Sequence, residues 1–285
     1  MLRLLALSFA LASPGLATAQ GLPKAIFTDP TPDQAHPARM EVVHVPTGGV
    51  AINAVAYVPT GAGPHPLLVL CHGWPGNEKN LDLAQAVRRA GWIVVTFNYR
   101  GSWGSPGQFR FAQNPEDAAA VIAWLRDPAH AAMLGADTKR IAIAGHSMGA
   151  WVSAKAIARD PGLLGAALIS MGDVGLLGKM PRPELLKLID ENAETLATTR
   201  DAEADEMITN ANTFAIVPDA PAIAKRPLLV LTADDGLAPM SDDLVAAVRK
   251  AGGVVATRHV ATDHSWSDHR IALEAAIIDW LATLR

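Results

Sequence analysis

Apolar residues alternate along this chain between two rhythms. Continuous apolar runs at residues 67–71, 92–98, 141–144, 163–170 and 228–232 read as strands covered on both faces, with a further strand at 254–260. Between them, residues 80–90, 115–125, 150–159, 242–251 and 268–284 carry helical spacing. Leu81, Leu83, Ala84 and Val87 line one face of the first of these, and Gly91 stops it. Asn114 is placed to cap the helix over 115–125, with Glu116 and Asp117 in its first turn. Ser267 is placed to cap the last helix. Strands alternating with helices at this spacing predict an α/β fold with a mostly parallel, doubly wound sheet. Ahead of it, residues 41–45 and 51–58 flank the turn Pro46-Thr47-Gly48-Gly49 and predict an antiparallel hairpin.

One segment breaks the rhythm. Residues 171–227 hold no strand-like run, while 183–199 and 202–214 read as two polar, amphipathic helices, and Pro218, Pro221 and Pro227 close the segment. A structureless loop of that length is improbable in a compact domain, so a helical cap over about residues 172–226 is expected. The organisation predicted is one domain over residues 20–285, with an irregular stretch from Gly21 to Arg39.

Residues 1–12 carry one early cation, Arg3, then an apolar stretch of about nine residues. Pro14 and Gly15 break it, and Ala17-Thr18-Ala19 has the small-x-small cleavage pattern. A secretory signal over residues 1–19 is expected, with export to a periplasm or the medium. The stretch is too short for a bilayer span, which needs roughly 20 apolar residues. No cysteine follows it, so no membrane-anchored form is expected. Cys71, the only cysteine, cannot form an internal disulfide and reads as a buried filler. Hydrophobic residues make up 50% of the 285, which supports a large core, and the net charge of −4 has no basic block that would suit a nucleic acid. A monomer is expected.

The chemistry centres on Gly145-His146-Ser147-Met148-Gly149, which lies between the apolar run 141–144 and the helix from Ala150. Strand, G-x-S-x-G and helix in that order describe a nucleophile elbow, with Ser147 strained at the tip and glycines where side chains would collide with backbone. Serine needs a base, and the base an orienting carboxylate. Both follow in the order such folds use. Asp234 and Asp235 lie in the turn after the run 228–232, and His264 in the loop after the strand 254–260. Asp173 is a third acid candidate. His269 competes with His264 but falls in the last helix; His146 suits packing or hydrogen bonding. The turn His72-Gly73-Trp74-Pro75-Gly76 follows another strand, and the backbone N–H groups of Trp74 and Met148 are assigned to the oxyanion; Pro75 has none to give. No H-E-x-x-H cluster accompanies His72, so neither metal nor cofactor is expected. Trp74, Trp103 and Trp266 lie near these turns as candidate substrate-binding residues, whereas Trp151 reads as core.

With these residues placed, the chain resembles the α/β-hydrolase superfamily over almost all of its length beyond the N-terminal segment. The motifs HGWPG, GHSMG, and ADDGLAP with TDHSW carry the resemblance. The family's acid turn often reads G-x-x-D-x-x-x-P; Thr232 replaces its glycine here, while Asp235 and Pro239 fit and favour Asp235. Residues 98–107 and 135–140 look closer to the dienelactone-hydrolase and prolyl-oligopeptidase branches. The chain has no room for the propeller of the latter, and Ala150 replaces a glycine common there. The resemblance implies a serine hydrolase acting on small to medium carboxylic esters through Ser147, Asp235 and His264. A serine aminopeptidase or acylaminoacyl peptidase with the same triad is the alternative, and a non-catalytic binding protein a more distant one.

Overall fold

The computed structural model describes residues 21–192 and 195–284; the secretory signal expected over residues 1–19 lies outside them. Eight strands form one sheet: β1 (Arg39–Thr47), β2 (Val50–Val58), β3 (His65–Cys71), β4 (Ile93–Phe97), β5 (Ala136–His146), β6 (Leu163–Ile169), β7 (Leu228–Ala233) and β8 (Val255–Val260). Their order is β1-β2-β4-β3-β5-β6-β7-β8. The hairpin β1–β2 is antiparallel and joins β4 antiparallel; every later pairing is parallel. This is the doubly wound sheet the apolar runs predict. Cores form on both faces, since Leu67, Val69 and Cys71 of β3 pack into one and Leu68 and Leu70 into the other. The edge strand β8 instead exposes Ala256, Thr257, Arg258 and His259, and polar groups there discourage pairing with another sheet.

The helices are α1 (Leu81–Arg89), α2 (Asn114–Arg126), α3 (Pro128–Leu134), α4 (Met148–Arg159), α5 (Val174–Leu177), α6 (Arg182–Asp190), α7 (Arg200–Thr209), α8 (Ala211–Phe214), α9 (Ala220–Ile223), α10 (Ala238–Lys250) and α11 (Arg270–Thr283). Several boundaries differ from the sequence reading, and the expected helix over 202–214 is split at Asn210 into α7 and α8. Asn114 lies inside α2 rather than capping it, because its buried amide turns to the Met148 sulfur at 3.2 Å. Pro239 sits in the first turn of α10, which therefore starts at Ala238 rather than 242. Ser267 does not cap α11, because its own N–H is held by Asp263 Oδ1 at 2.8 Å and the helix starts at Arg270.

Helices α5 to α9 fill the segment between β6 and β7 where the cap is expected. The first expected cap helix stops at Asp190, well before residue 199. The reason is tertiary: Leu196 forms a β-bridge with Ser102, and Ala197 bonds Gly101 and Phe109 through the backbone at 2.7 and 3.1 Å. The cap is thus tied to the loop that follows β4. That loop is held in turn by Arg100, whose Nε donates to buried Asp117 of α2 at 2.6 Å, while Asp117 Oδ2 accepts the Arg100 N–H at 2.9 Å. Thr47 of β1 donates to the same carboxylate at 2.9 Å, so one buried anion joins the hairpin, the loop and α2.

Removing one partner of a buried, fully bonded pair leaves the other uncompensated, at a cost of about 3–5 kcal/mol. Asp117→Ala is therefore expected to lower stability by about that amount. Chemical denaturation of the variant against the parent protein measures it.

Candidate active site

The turn after β5 is built on close backbone approach. A Cβ on Gly145 would lie 2.0 Å from the Gly149 carbonyl oxygen, and one on Gly149 would lie 2.2 Å from that of Cys71. Only glycine fits at either position. The chain reverses through Ser147, which takes φ 57° and ψ −123°, a costly conformation for a residue with a side chain. Its N–H is held by Ile169 of the neighbouring strand at 2.9 Å. Helix α4 starts at Met148, so the Met148 N–H has no carbonyl one turn back within its own helix. Trp74 lies on the loop after β3 and lines the same cavity as Ser147 and Met148. Among the described residues, its N–H enters no loop hydrogen bond.

The acid and the base meet. His264 Nδ1 lies 2.7 Å from Asp235 Oδ2, and Asp235 Oδ1 accepts the Leu237 N–H at 2.9 Å. Burial opposes ionisation of Asp235, but the His264 bond and the Leu237 N–H outweigh it and hold the carboxyl below its ordinary value. Ser170 lowers this carboxyl slightly as well, and its hydroxyl accepts the buried Trp266 indole N–H at 3.1 Å. His146 lies against the His264 ring at 4.6 Å, and its Nε2 is 2.7 Å from the His264 carbonyl. Burial, with the like charge of His264 next, pushes His146 down to about 3. It therefore stays neutral and donates Nε2–H to that carbonyl, fixing the loop that presents the base.

Ser147, Asp235 and His264 line one cavity of about 230 Å³. Ser147 Oγ and His264 Nε2 are not hydrogen-bonded here; such contacts often tighten only around substrate. The remaining walls are apolar: Trp74, Phe111, Met148, Val174, Leu177, Leu188 and Leu237, with Gly172 and Asn192. Several come from the cap, which therefore shapes the space in front of Ser147.

The other candidates fall elsewhere. Asp234 pairs with His259 on the surface at 3.0 Å. Asp173 is buried and caps α5, accepting N–H groups of Gly175 and Ile216. His269 pairs with exposed Asp268. Cys71 is wholly buried, and burial pushes its thiol up to about 12, which leaves no thiolate for catalysis.

Two of the three tryptophan candidates are corrected. Trp266 is 0% exposed and packs in the core, anchoring the histidine loop from behind. Trp103 braces the far side of the HGWPG loop, because its indole N–H donates to the Pro75 carbonyl at 2.7 Å and Lys79 covers its ring at 4.1 Å. Only Trp74 lines the cavity. Trp151 is core, as expected, with its N–H on the Phe214 carbonyl at 2.7 Å. The sequence reading missed Ser170, although a serine ending the apolar run next to the elbow strand marks the same sheet edge. It also missed Phe111, Leu177, Leu188 and Leu237, which no local signal separates from ordinary core residues.

The geometry distinguishes the two adjacent aspartates. Asp235→Ala is expected to lower kcat for an ester substrate by roughly 10⁴-fold, and Asp234→Ala by less than about 3-fold. Steady-state kinetics of the two variants decide between them.

Residues 48–283 match the family model of the X-Pro dipeptidyl-peptidase (S15 family). An uncharacterized 31.7 kDa protein of Escherichia coli is 32% identical over 153 residues, covering 50% of this chain and 52% of that protein. The alignment thus spans about half the length of that relative. An uncharacterized protein of Mycobacterium tuberculosis is 27% identical over 193 residues, 66% of each chain. Among solved structures, a puromycin-hydrolyzing peptidase of Mycobacterium tuberculosis superposes with TM-score 0.68 at 20% identity, over 90% of this chain and 41% of that one. The thermostable carboxylesterase EstE1, cloned from a metagenomic library, superposes with TM-score 0.66 at 20% identity, over 92% of both chains. At such identities the superpositions establish the shared α/β-hydrolase fold, and the family match does the rest: this chain belongs to the X-Pro dipeptidyl-peptidase (S15) family.

Proposed function

We propose that this protein hydrolyses small to medium carboxylic esters of uncharged acids through an acyl-enzyme on Ser147. Ser147 Oγ attacks the carbonyl carbon while His264 Nε2 takes its proton, and Asp235 stabilises the imidazolium through Nδ1–H. The N–H groups of Trp74 and Met148 hold the oxyanion. His264 then returns the proton to the leaving alcohol, leaving the acyl group on Ser147. Water attacks that ester with its proton going to His264, and collapse releases the acid and restores the serine.

The observation that carries the reading is the lining of the cavity. Apart from Asp235 and His264, no charged side chain lines it among the described residues. The ammonium terminus of a peptide would need a free carboxylate. The cap carboxylates Glu203 and Glu206 are both engaged: Glu203 accepts the Trp74 indole N–H, and Glu206 the N–H groups of Phe111 and Ala112. Release of X-Pro dipeptides is the second reading, favoured by the family match. Export through residues 1–19 is part of the proposal and rests on their charge and apolar pattern.

Ser147→Ala is expected to lower kcat on a p-nitrophenyl ester by roughly 10⁴- to 10⁶-fold and to abolish labelling by a fluorophosphonate. Retained hydrolysis would end the proposal. On the wild-type protein, acetyl to decanoyl p-nitrophenyl esters are expected to outrun X-Pro p-nitroanilides in kcat/KM, and the reverse order would favour the peptidase reading. For export, expression of the full chain in a bacterial host is expected to yield periplasmic protein beginning at Gln20; uncleaved protein in the cytoplasm would count against it.

A further inference from the structure

Helix α7 of the cap grips the aromatic wall of the cavity from behind. Glu203 is buried, with 2% exposure, and its Oε2 accepts the Trp74 indole N–H at 3.0 Å. One turn on, Glu206 accepts the N–H groups of Phe111 and Ala112 at 3.1 and 2.9 Å. Trp74 and Phe111 meet edge to face at 5.6 Å, and both line the cavity in front of Ser147. Trp74 has two duties in the proposed reaction, since its ring walls the acyl space and its backbone N–H faces the oxyanion. The ring side is tethered by one hydrogen bond, from a residue 129 positions away in the chain.

We propose that Glu203 is a positioning residue: by holding the Trp74 indole it sets the width of the acyl cavity and the aim of the Trp74 N–H. The seating of α7 is thereby coupled to acyl selectivity. This rests on the reading of Ser147 as an esterase nucleophile.

The charges around Glu203 make the tether titratable. Burial raises its carboxyl, the Trp74 bond lowers it, Glu206 raises it and Arg110 lowers it, leaving it at about 7. Glu206 is itself raised by burial, against the N–H bonds from Ala112 and Phe111 and the charge of Arg110. The packed helices α5 and α8 bring no titratable group. Helix α6 brings Arg182, Glu184, Lys187 and Asp190, of which Arg182 is taken up by Asp201 and Asp205 on the exposed side of α7. An ionised carboxylate accepts the indole N–H more strongly than a neutral acid, so the tether tightens as pH rises through 7.

Two readouts test this, one independent of catalysis. Tryptophan fluorescence of the wild-type protein is expected to show a transition near pH 7 that is absent in Glu203→Gln and in Trp74→Phe. A transition unchanged in either variant, or none in the wild type, would overturn the proposal whether or not the protein is an esterase. In kinetics, Glu203→Ala is expected to lower kcat/KM for p-nitrophenyl butyrate by about 10-fold and for the octanoate by less, narrowing their ratio, while Glu203→Gln, which keeps an acceptor oxygen, restores the ratio. In the Trp74→Phe background the same alanine change is expected to cost less than about 2-fold. Equal losses in both backgrounds would show that Glu203 acts other than through the indole, leaving the esterase reading intact. If the alanine variant does not fold, the wild-type to glutamine ratio of kcat/KM followed across neutral pH serves instead: a flat ratio overturns the proposal. Loss of Ser147-dependent hydrolysis in the parent protein would remove the reading but leave the fluorescence result to decide the tether.

Discussion

A close approach of three backbone segments organises the candidate site. Gly145 stands against the carbonyl of Gly149, and Gly149 against the carbonyls of Cys71 and His72, with no room for a Cβ at either site. Those contacts join the end of β5, the start of α4 and the end of β3 in one knot. They force the reversal through Ser147 into its φ of 57°. A strained serine persists only where the surroundings over-determine it. Here a buried sheet on one side and a ten-residue buried stretch of α4 on the other supply that constraint.

From that knot the remaining groups are placed by what the sheet carries to one edge. Strand β7 leads to Asp235, the loop after β8 delivers His264, and β6, between the elbow strand β5 and β7, leads to Ser170. Each is then locked by hydrogen bonds reaching beyond its own loop: Trp266 to Ser170, His264 to Asp235, and His146 to the His264 carbonyl. Such supporting bonds keep a catalytic geometry within the narrow tolerance that proton transfer needs. The same logic explains why Trp266 serves from the core rather than the cavity. Its large ring is more useful filling the space behind the histidine loop than facing solvent.

The cap works differently. It carries neither Ser147, Asp235 nor His264, yet Val174, Leu177 and Leu188 make it a wall of their cavity. It is fastened at three levels: the bridge from Leu196 to Ser102, the indole of Trp151 on the Phe214 carbonyl, and Lys155 of α4 on Asp219 at 2.8 Å. The Arg100–Asp117 pair beneath the first of these connects cap seating to the antiparallel hairpin. The shape of the cavity is therefore set by contacts that Ser147 never touches.

Period and order in the chain were enough for the sheet, the elbow and the choice of His264 over His269, because these follow from local rules. Apolar runs bury on both faces, glycine alone tolerates the elbow, and residues at the carboxyl ends of parallel strands share one edge. Asp235 and Asp234 differ by one position, and proximity to Pro239 favoured the former before the His264 contact was visible. What escaped was decided by packing between distant segments. Whether a tryptophan faces a cavity or a core depends on which neighbour takes its N–H, and for Trp103 and Trp266 those neighbours are Pro75 and Ser170. The early end of α6 depends on a bridge to a loop some ninety residues earlier. Glu203 reads in the chain as one acid among several on a polar helix; only tertiary structure sets it against Trp74, since a hydrogen bond across 129 residues leaves no periodic trace in either segment.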